Sequence, residues 1–257
     1  MTRQPAAIDF APRSLRVGLI VPSSNTNFEP DCAMLAPEGL TLHAVRSGGY
    51  DVNAIPDSAL MRRFAREALD QCVTLLTDAR VDMVIYGCTS ATLSEGPAFD
   101  RKFCEELQEK SGVPAITAAG ALVEAIRSVG ARRVAFTSPY VAALSAESVA
   151  FIRESGIEVV REVAFEEELT SLGQNALTPQ DAYDMALRAD HPDAEAIVIS
   201  CTDYRALEAA PAIEAALNKP VVTSNQAQMF ACLTRLGLPT TDITRGGRLF
   251  TRRGLVT

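Results

Sequence analysis

Two nine-residue stretches, VDMVIYGCT (81–89) and AEAIVISCT (194–202), match position for position as an apolar run that ends in Gly or Ser and then Cys-Thr. The likeness runs outward from them. VPAITAAGALVEAIRSVG (113–130) and KPVVTSNQAQMFACLTRLG (219–237) are each a strand pattern, a turn and a helix pattern that ends at Gly. VGLIVPSSN (17–25) and VAFTSPY (134–140) both stop a strand pattern at proline. An internal match of this kind predicts two copies of one structural unit.

Between these landmarks the chain alternates short β-branched runs with longer amphipathic segments. LRVGLIVP (15–22), LTLHAVR (40–46), VDMVIYG (81–87) and PAIT (114–117) are followed by RRVAFTSP (132–139), IEVVREV (157–163), AEAIVIS (194–200) and KPVVTS (219–224). Near-continuous apolar runs read as parallel strands buried on both faces. SALMRRFAREALDQCVTLLTDA, FDRKFCEELQEKSG, VAALSAESVAFIRESG, PQDAYDMALRA and YRALEAAPAIEAAL read as the helices between them. The predicted fold is α/β: two similar Rossmann-like halves with small parallel sheets, related by a pseudo-twofold, with the site in the cleft between them. The helix 225–237 is expected to return to the first half, which gives 15–118 plus 222–257 as one half and 119–221 as the other. At 257 residues and 47% hydrophobic, the chain is large enough to bury such a core.

In open parallel sheets, ligands bind beyond the carboxyl ends of the strands. Pro22-Ser23-Ser24-Asn25, Cys88-Thr89-Ser90, Pro139-Tyr140 and Cys201-Thr202 all fall there. If the halves face each other, Cys88 and Cys201 approach one cleft from opposite sides. A thiol at a strand-to-helix turn meets backbone N–H groups that favour the thiolate. Ser23, Ser24, Asn25, Thr89, Ser90, Tyr140 and Thr202 add donors suited to a small carboxylate, although Ser, Thr and Asn at such places also cap helices. Asn175 lies in the less regular LTSLGQNALTPQ, ahead of a helix started by Thr178-Pro179.

Several function classes find no support. The net charge is −8 with no Lys/Arg cluster longer than a pair, which disfavours nucleic acid and anionic membranes. No apolar run reaches membrane-spanning length. MTRQPAAIDFAPRS reads as a flexible tail (1–14) and not a signal peptide, so the expected location is cytoplasmic. The six cysteines form no CxxC pair and have only His43 and His191 as companions, so no metal site and no cofactor is expected. Cys32, Cys72, Cys104 and Cys232 read as small buried hydrophobes. Neither His43, in a strand, nor His191, before a proline, is placed as a base for a cysteine nucleophile.

At these residues the chain resembles the aspartate/glutamate racemase superfamily, and within it the branch of maleate cis–trans isomerases, arylmalonate decarboxylases and ectoine-utilisation proteins. The marks are VGLIVPSSNT, YGCTSAT, RRVAFTSPY, SCTDYRAL, PVVTSN and GRLF. The resemblance implies that Cys88 and Cys201 are the catalytic pair, that Asn25, Tyr140 and Asn175 hold the substrate, and that Thr89, Ser90 and Tyr140 stabilise a carboxylate. The decarboxylases carry glycine at the first cysteine, so Cys88 argues against decarboxylation. Thr89-Ser90 and the SCTDYR stretch, with Asp203 and Arg205, depart from the isomerase pattern. The resemblance further implies a small-molecule carboxylate substrate and a homo-oligomer. The leading expectation is maleate to fumarate isomerisation through a Cys88 thioether. The alternatives are racemisation of an aspartate-like amino or hydroxy acid, arylmalonate-type decarboxylation, and a ligand-binding module without chemistry.

Overall fold

The structure, a computed structural model, describes residues 15–251. The tail 1–14 and residues 252–257, grouped above with the first half, lie outside the described residues. All eight sequence-predicted strands form, and they build two four-stranded parallel sheets. The first contains β1 (Leu15–Pro22), β2 (Leu40–Ser47), β3 (Met83–Tyr86) and β4 (Ala115–Thr117) in the order β2-β1-β3-β4. The second contains β5 (Arg133–Ser138), β6 (Glu158–Ala164), β7 (Ala196–Ile199) and β8 (Val221–Thr223) in the order β6-β5-β7-β8. The same order twice is the architecture that the repeated sequence predicts.

The central strands β3 and β7 are buried at every residue, as continuous apolar runs require. The edge strands β2 and β6 are not: both expose or half-expose most positions, so the expectation of burial on two faces fails there. Arg46, Arg161 and Glu162 stand exposed on these two strands. The short strands β4 and β8 also lie at sheet edges, yet they are buried. The helix that leaves each of these strands crosses to the other sheet and covers the other strand. The helix α6 (Ala118–Ser128) leaves β4 and meets β8, while α11 (Ser224–Arg235) leaves β8 and meets β4 and α1 (Phe28–Leu35). The two helices also pack on each other. Each starts at a threonine whose hydroxyl accepts a backbone N–H, Thr117 from Gly120 and Thr223 from Gln226.

Two helices differ from the sequence reading. The amphipathic run 58–79 is broken into α2 (Ser58–Arg66) and α3 (Leu69–Asp78), because Ala68 takes a left-handed conformation at φ 59°. The run 204–217 is helical only in α10 (Ala210–Leu217); residues before it turn back under a fully buried Tyr204. The tail near GRLF forms α12 (Gly247–Thr251), with Leu249 and Phe250 buried against α10, α11 and β8. The helix α9 (Pro179–Ala189) starts where Thr178-Pro179 predicts, with a reciprocal capping box between Thr178 and Asp181. No helix of the described residues is long and apolar enough to cross a membrane.

Candidate active site

The carboxyl ends of β1, β3, β5 and β7 converge on one pocket. Both repeat cysteines line it, and each is 7% exposed, enough for a sulfur to face the cavity and too little for bulk water. Of the residues expected at the site, Ser24, Asn25, Thr89, Ser90, Tyr140 and Thr202 line the same pocket. Ser23 is exposed and does not. Asn175 stands one layer behind the wall and donates to Asp203 Oδ1 at 2.6 Å and Thr26 Oγ1 at 2.9 Å. His43 and His191 are both elsewhere; His43 meets Thr41 on β2 and His191 accepts from the Asp193 N–H.

The two halves are stitched across this pocket by short polar links. Asn25 Oδ1 accepts the N–H groups of Asn27 and Phe28, which start α1, and its Nδ2 donates to Thr202 Oγ1 at 3.0 Å. Thr202 in turn donates to the Gly87 carbonyl at 2.9 Å. Ser224, the first residue of α11, accepts the Cys201 N–H at 3.1 Å and the Thr89 hydroxyl at 3.0 Å. Capping and site-building are therefore the same interactions. Gly87 has its own reason: a Cβ there would lie 2.4 Å from the Phe28 ring and 3.0 Å from the Ile20 carbonyl. In the second copy Ser200 fills that place, with its hydroxyl 3.3 Å from the Tyr140 hydroxyl.

The cysteines occupy matching places with different surroundings. Cys88 has ordinary extended backbone and caps the five-residue α4 (Thr89–Leu93), and its sulfur lies 3.7 Å from Ser90 Oγ. Burial pushes its thiol up to about 11; the N–H groups of Ala91 and Ser90 and the Ser90 hydroxyl pull it back only in part. Helix-start donors thus do not outweigh desolvation in this closed pocket, contrary to the sequence expectation. Cys201 has no helix behind it. Its backbone sits at φ 142°, a region that L side chains rarely adopt. Its sulfur accepts the Asp203 N–H at 3.4 Å and lies 3.8 Å from Gln174 Oε1. Burial raises the Cys201 thiol further, and the Asp203 and Cys88 charges add to that.

Sequence reading missed part of the wall. Tyr50, Pro56, Met61 and Phe64 close one side, from α2 and the segment before it. Tyr50 follows the end of β2, where the strand-end rule applies, and its hydroxyl meets Ser24 Oγ at 2.7 Å. Met61 and Phe64 lie on a helix face that reads as core. Ser171 and Gln174 come from α8 (Ser171–Asn175), a single turn inside the stretch that looks irregular. The wall holds no Lys, Arg or His and one carboxylate, Asp203, so an anion there is held by hydroxyls, amides and backbone N–H groups alone. Among the described residues no cluster of His, Cys, Asp and Glu could hold a metal ion.

Paired parallel sheets with one cysteine from each facing a shared pocket define an Asp/Glu racemase-like α/β protein. More narrowly, the family model for arylmalonate decarboxylase matches residues 17–250, and the chain belongs to that family. It is 34% identical over 236 residues to a maleate isomerase of Pseudomonas putida, across 87% of this chain and 92% of the relative. Among solved structures it is similar to the maleate isomerase Iso of Pseudomonas putida S16, a cysteine-to-alanine variant with maleate, at 34% identity and a TM-score of 0.87. That match covers 94% of this chain and 99% of the other. It is also similar to the Nocardia farcinica maleate cis–trans isomerase, a cysteine-to-serine variant with a covalently bound succinylcysteine intermediate. There the identity is 25% and the TM-score 0.83, over 93% of this chain and 99% of the other.

Proposed function

We propose that this chain is a cofactor-independent maleate cis–trans isomerase. The observation that carries the reading is the shared pocket of Cys88 and Cys201, supported by relatives that bind maleate and carry a succinylcysteine. The Cys88 thiolate adds to one alkene carbon while Cys201 gives its proton to the next, forming a succinyl thioether whose central bond is single. Rotation about that bond follows. Cys201 then takes a proton back from the carbon it protonated, the Cys88–carbon bond breaks, and fumarate leaves. One thiol must start ionised and one neutral, because two thiolates in a closed site repel.

Ser24, Asn25, Thr89, Ser90, Tyr140 and Thr202 are assigned to the two carboxylates. Asn175 is assigned to the site through the Asp203 carboxylate that it holds. The division into 15–118 with 222–257 and 119–221 belongs to the same proposal. So do a cytoplasmic location, which six free thiols suit, and a homo-oligomer.

A proton NMR assay in heavy water with maleate, aspartate, hydroxyaspartate and a substituted malonate tests this reading. Conversion of maleate to fumarate is expected. Inert maleate with deuterium at the α-position of recovered amino acid would make the chain a racemase, and loss of carbon dioxide from the malonate would make it a decarboxylase. Tight binding without consumption, unchanged in cysteine variants, would make it a binding module.

A further inference from the structure

The repeated fold presents Cys88 and Cys201 at equivalent strand ends, so a reaction that needs one thiolate and one thiol needs something to break the equivalence. The residue two places on differs between the copies: Ser90 follows Cys88, and Asp203 follows Cys201. Ser90 brings a hydroxyl to 3.7 Å from the Cys88 sulfur; it donates to Met61 Sδ at 3.1 Å and can turn from there to a thiolate. Asp203 brings a carboxylate. It is 8% exposed, lines the pocket, and its own N–H rests on the Cys201 sulfur. Its Oδ1 accepts from Asn175 at 2.6 Å and from Asn27 at 3.2 Å, one partner from each half, so the carboxylate is pinned beside the thiol.

The surrounding charges sharpen the contrast. No cation lines the pocket to neutralise Asp203. Arg46 of β2, the cation that acts on it, is the weakest of the influences on its ionisation; burial raises the carboxyl to about 6, and Asn175, the Thr26 N–H and Asn27 hold it down against that. Above that pH a negative charge lies in the pocket that both sulfurs line. It ranks second only to burial among the effects on Cys201, and behind burial and two donors among those on Cys88.

We propose that Asp203 is a positioning residue that keeps Cys201 as the proton-giving thiol and leaves Cys88 to ionise and add, a role that rests on the isomerase reading. It places a charge beside one member of the cysteine pair and a hydroxyl beside the other. The same side chain reinforces the cross-cleft bond that Asn27 makes to the Asn175 carbonyl.

The test treats the full chain with iodoacetamide from pH 6 to 10 and follows the Cys88 and Cys201 peptides separately by mass spectrometry, without substrate. Wild type, Asp203→Asn and Asp203→Glu are compared, with thermal melting as the check on folding. Asn keeps an acceptor for Asn175 and removes the charge; Glu keeps the charge. The expected result is faster alkylation of Cys88 than of Cys201 in wild type. In Asp203→Asn the Cys201 rate at pH 8 should rise roughly tenfold, the effect of losing one adjacent like charge, with a smaller change at Cys88. Asp203→Glu should stay near wild type. If the Asn variant fails to fold, Asp203→Ser, which copies the first repeat, replaces it. An unchanged Cys201 rate in the folded variant, or faster alkylation of Cys201 than Cys88 in wild type, overturns the assignment. Wild type that leaves maleate untouched while its thiols behave as expected would remove the isomerase reading alone.

Discussion

Cys201 is held where a side chain costs free energy. At φ 142° only glycine is at ease, and backbone strain of this kind is on the order of 1–3 kcal/mol. The local structure tolerates it because the Cys201 N–H is fixed by Ser224 and the following Asp203 by Asn27 and Asn175. Two variants that both lack the thiol separate strain from chemistry. Cys201→Gly should unfold at higher denaturant than Cys201→Ala, by about 1–2 kcal/mol, while both are inactive. Equal stabilities by urea titration would mean that the position carries no strain. Cys88, at φ −137°, offers the control, since glycine there should be no better than alanine.

At the scale of elements, the start of α11 joins chemistry to fold. Ser224 binds the Cys201 backbone and the Thr89 hydroxyl at once, beside the direct bond from Thr202 to the Gly87 carbonyl. Ser224→Ala leaves a buried N–H without its acceptor, a cost of about 1–3 kcal/mol. Turnover should fall at least about tenfold as Thr89 and Cys201 drift apart, measured by maleate consumption together with chemical denaturation. Turnover at the wild-type rate in a destabilised variant would make Ser224 purely structural. Such elements differ in how far sequence reveals them. The strands were legible because a run such as AIVI has no polar side to hide, and Thr178-Pro179 marks a helix start chemically. The break at Ala68 was not, since neither glycine nor proline signals it and the amphipathic pattern runs straight through. The same blindness concealed Met61 and Phe64, whose apolar face looks identical whether it covers a core or a pocket. Gln174 was hidden by a helix of one turn, too short for any periodicity.

For the whole molecule, the contact between α1 and α11 carries a buried titration. Asp31 accepts from Asn225 at 2.7 Å, and Asn225 also donates to the Thr202 carbonyl, tying the first sheet's helix to the second cysteine loop. Burial, aided by Glu208 and opposed by Asn225 and Arg205, raises the Asp31 carboxyl from 3.8 to about 7. A carboxyl with a higher pKa folded than unfolded takes up a proton on folding, so stability falls as pH rises from about 4 to about 7 and stays reduced above that. Asp31→Asn should raise stability at pH 8 by about 1–3 kcal/mol and flatten that slope. Melting curves from pH 5 to 8 check it, and an unchanged slope would remove Asp31 as its source. Asp203 titrates in the same direction, so some slope remains in the variant. The architecture itself serves one end, to bring two sulfurs from two sheets to one small acid. The most direct measurement of that is peptide mass spectrometry of Cys201→Ser after incubation with maleate. A succinyl adduct on the Cys88 peptide, absent when Cys88 is also replaced by Ser, is the predicted result; no adduct, or one carried by another cysteine, would contradict the account.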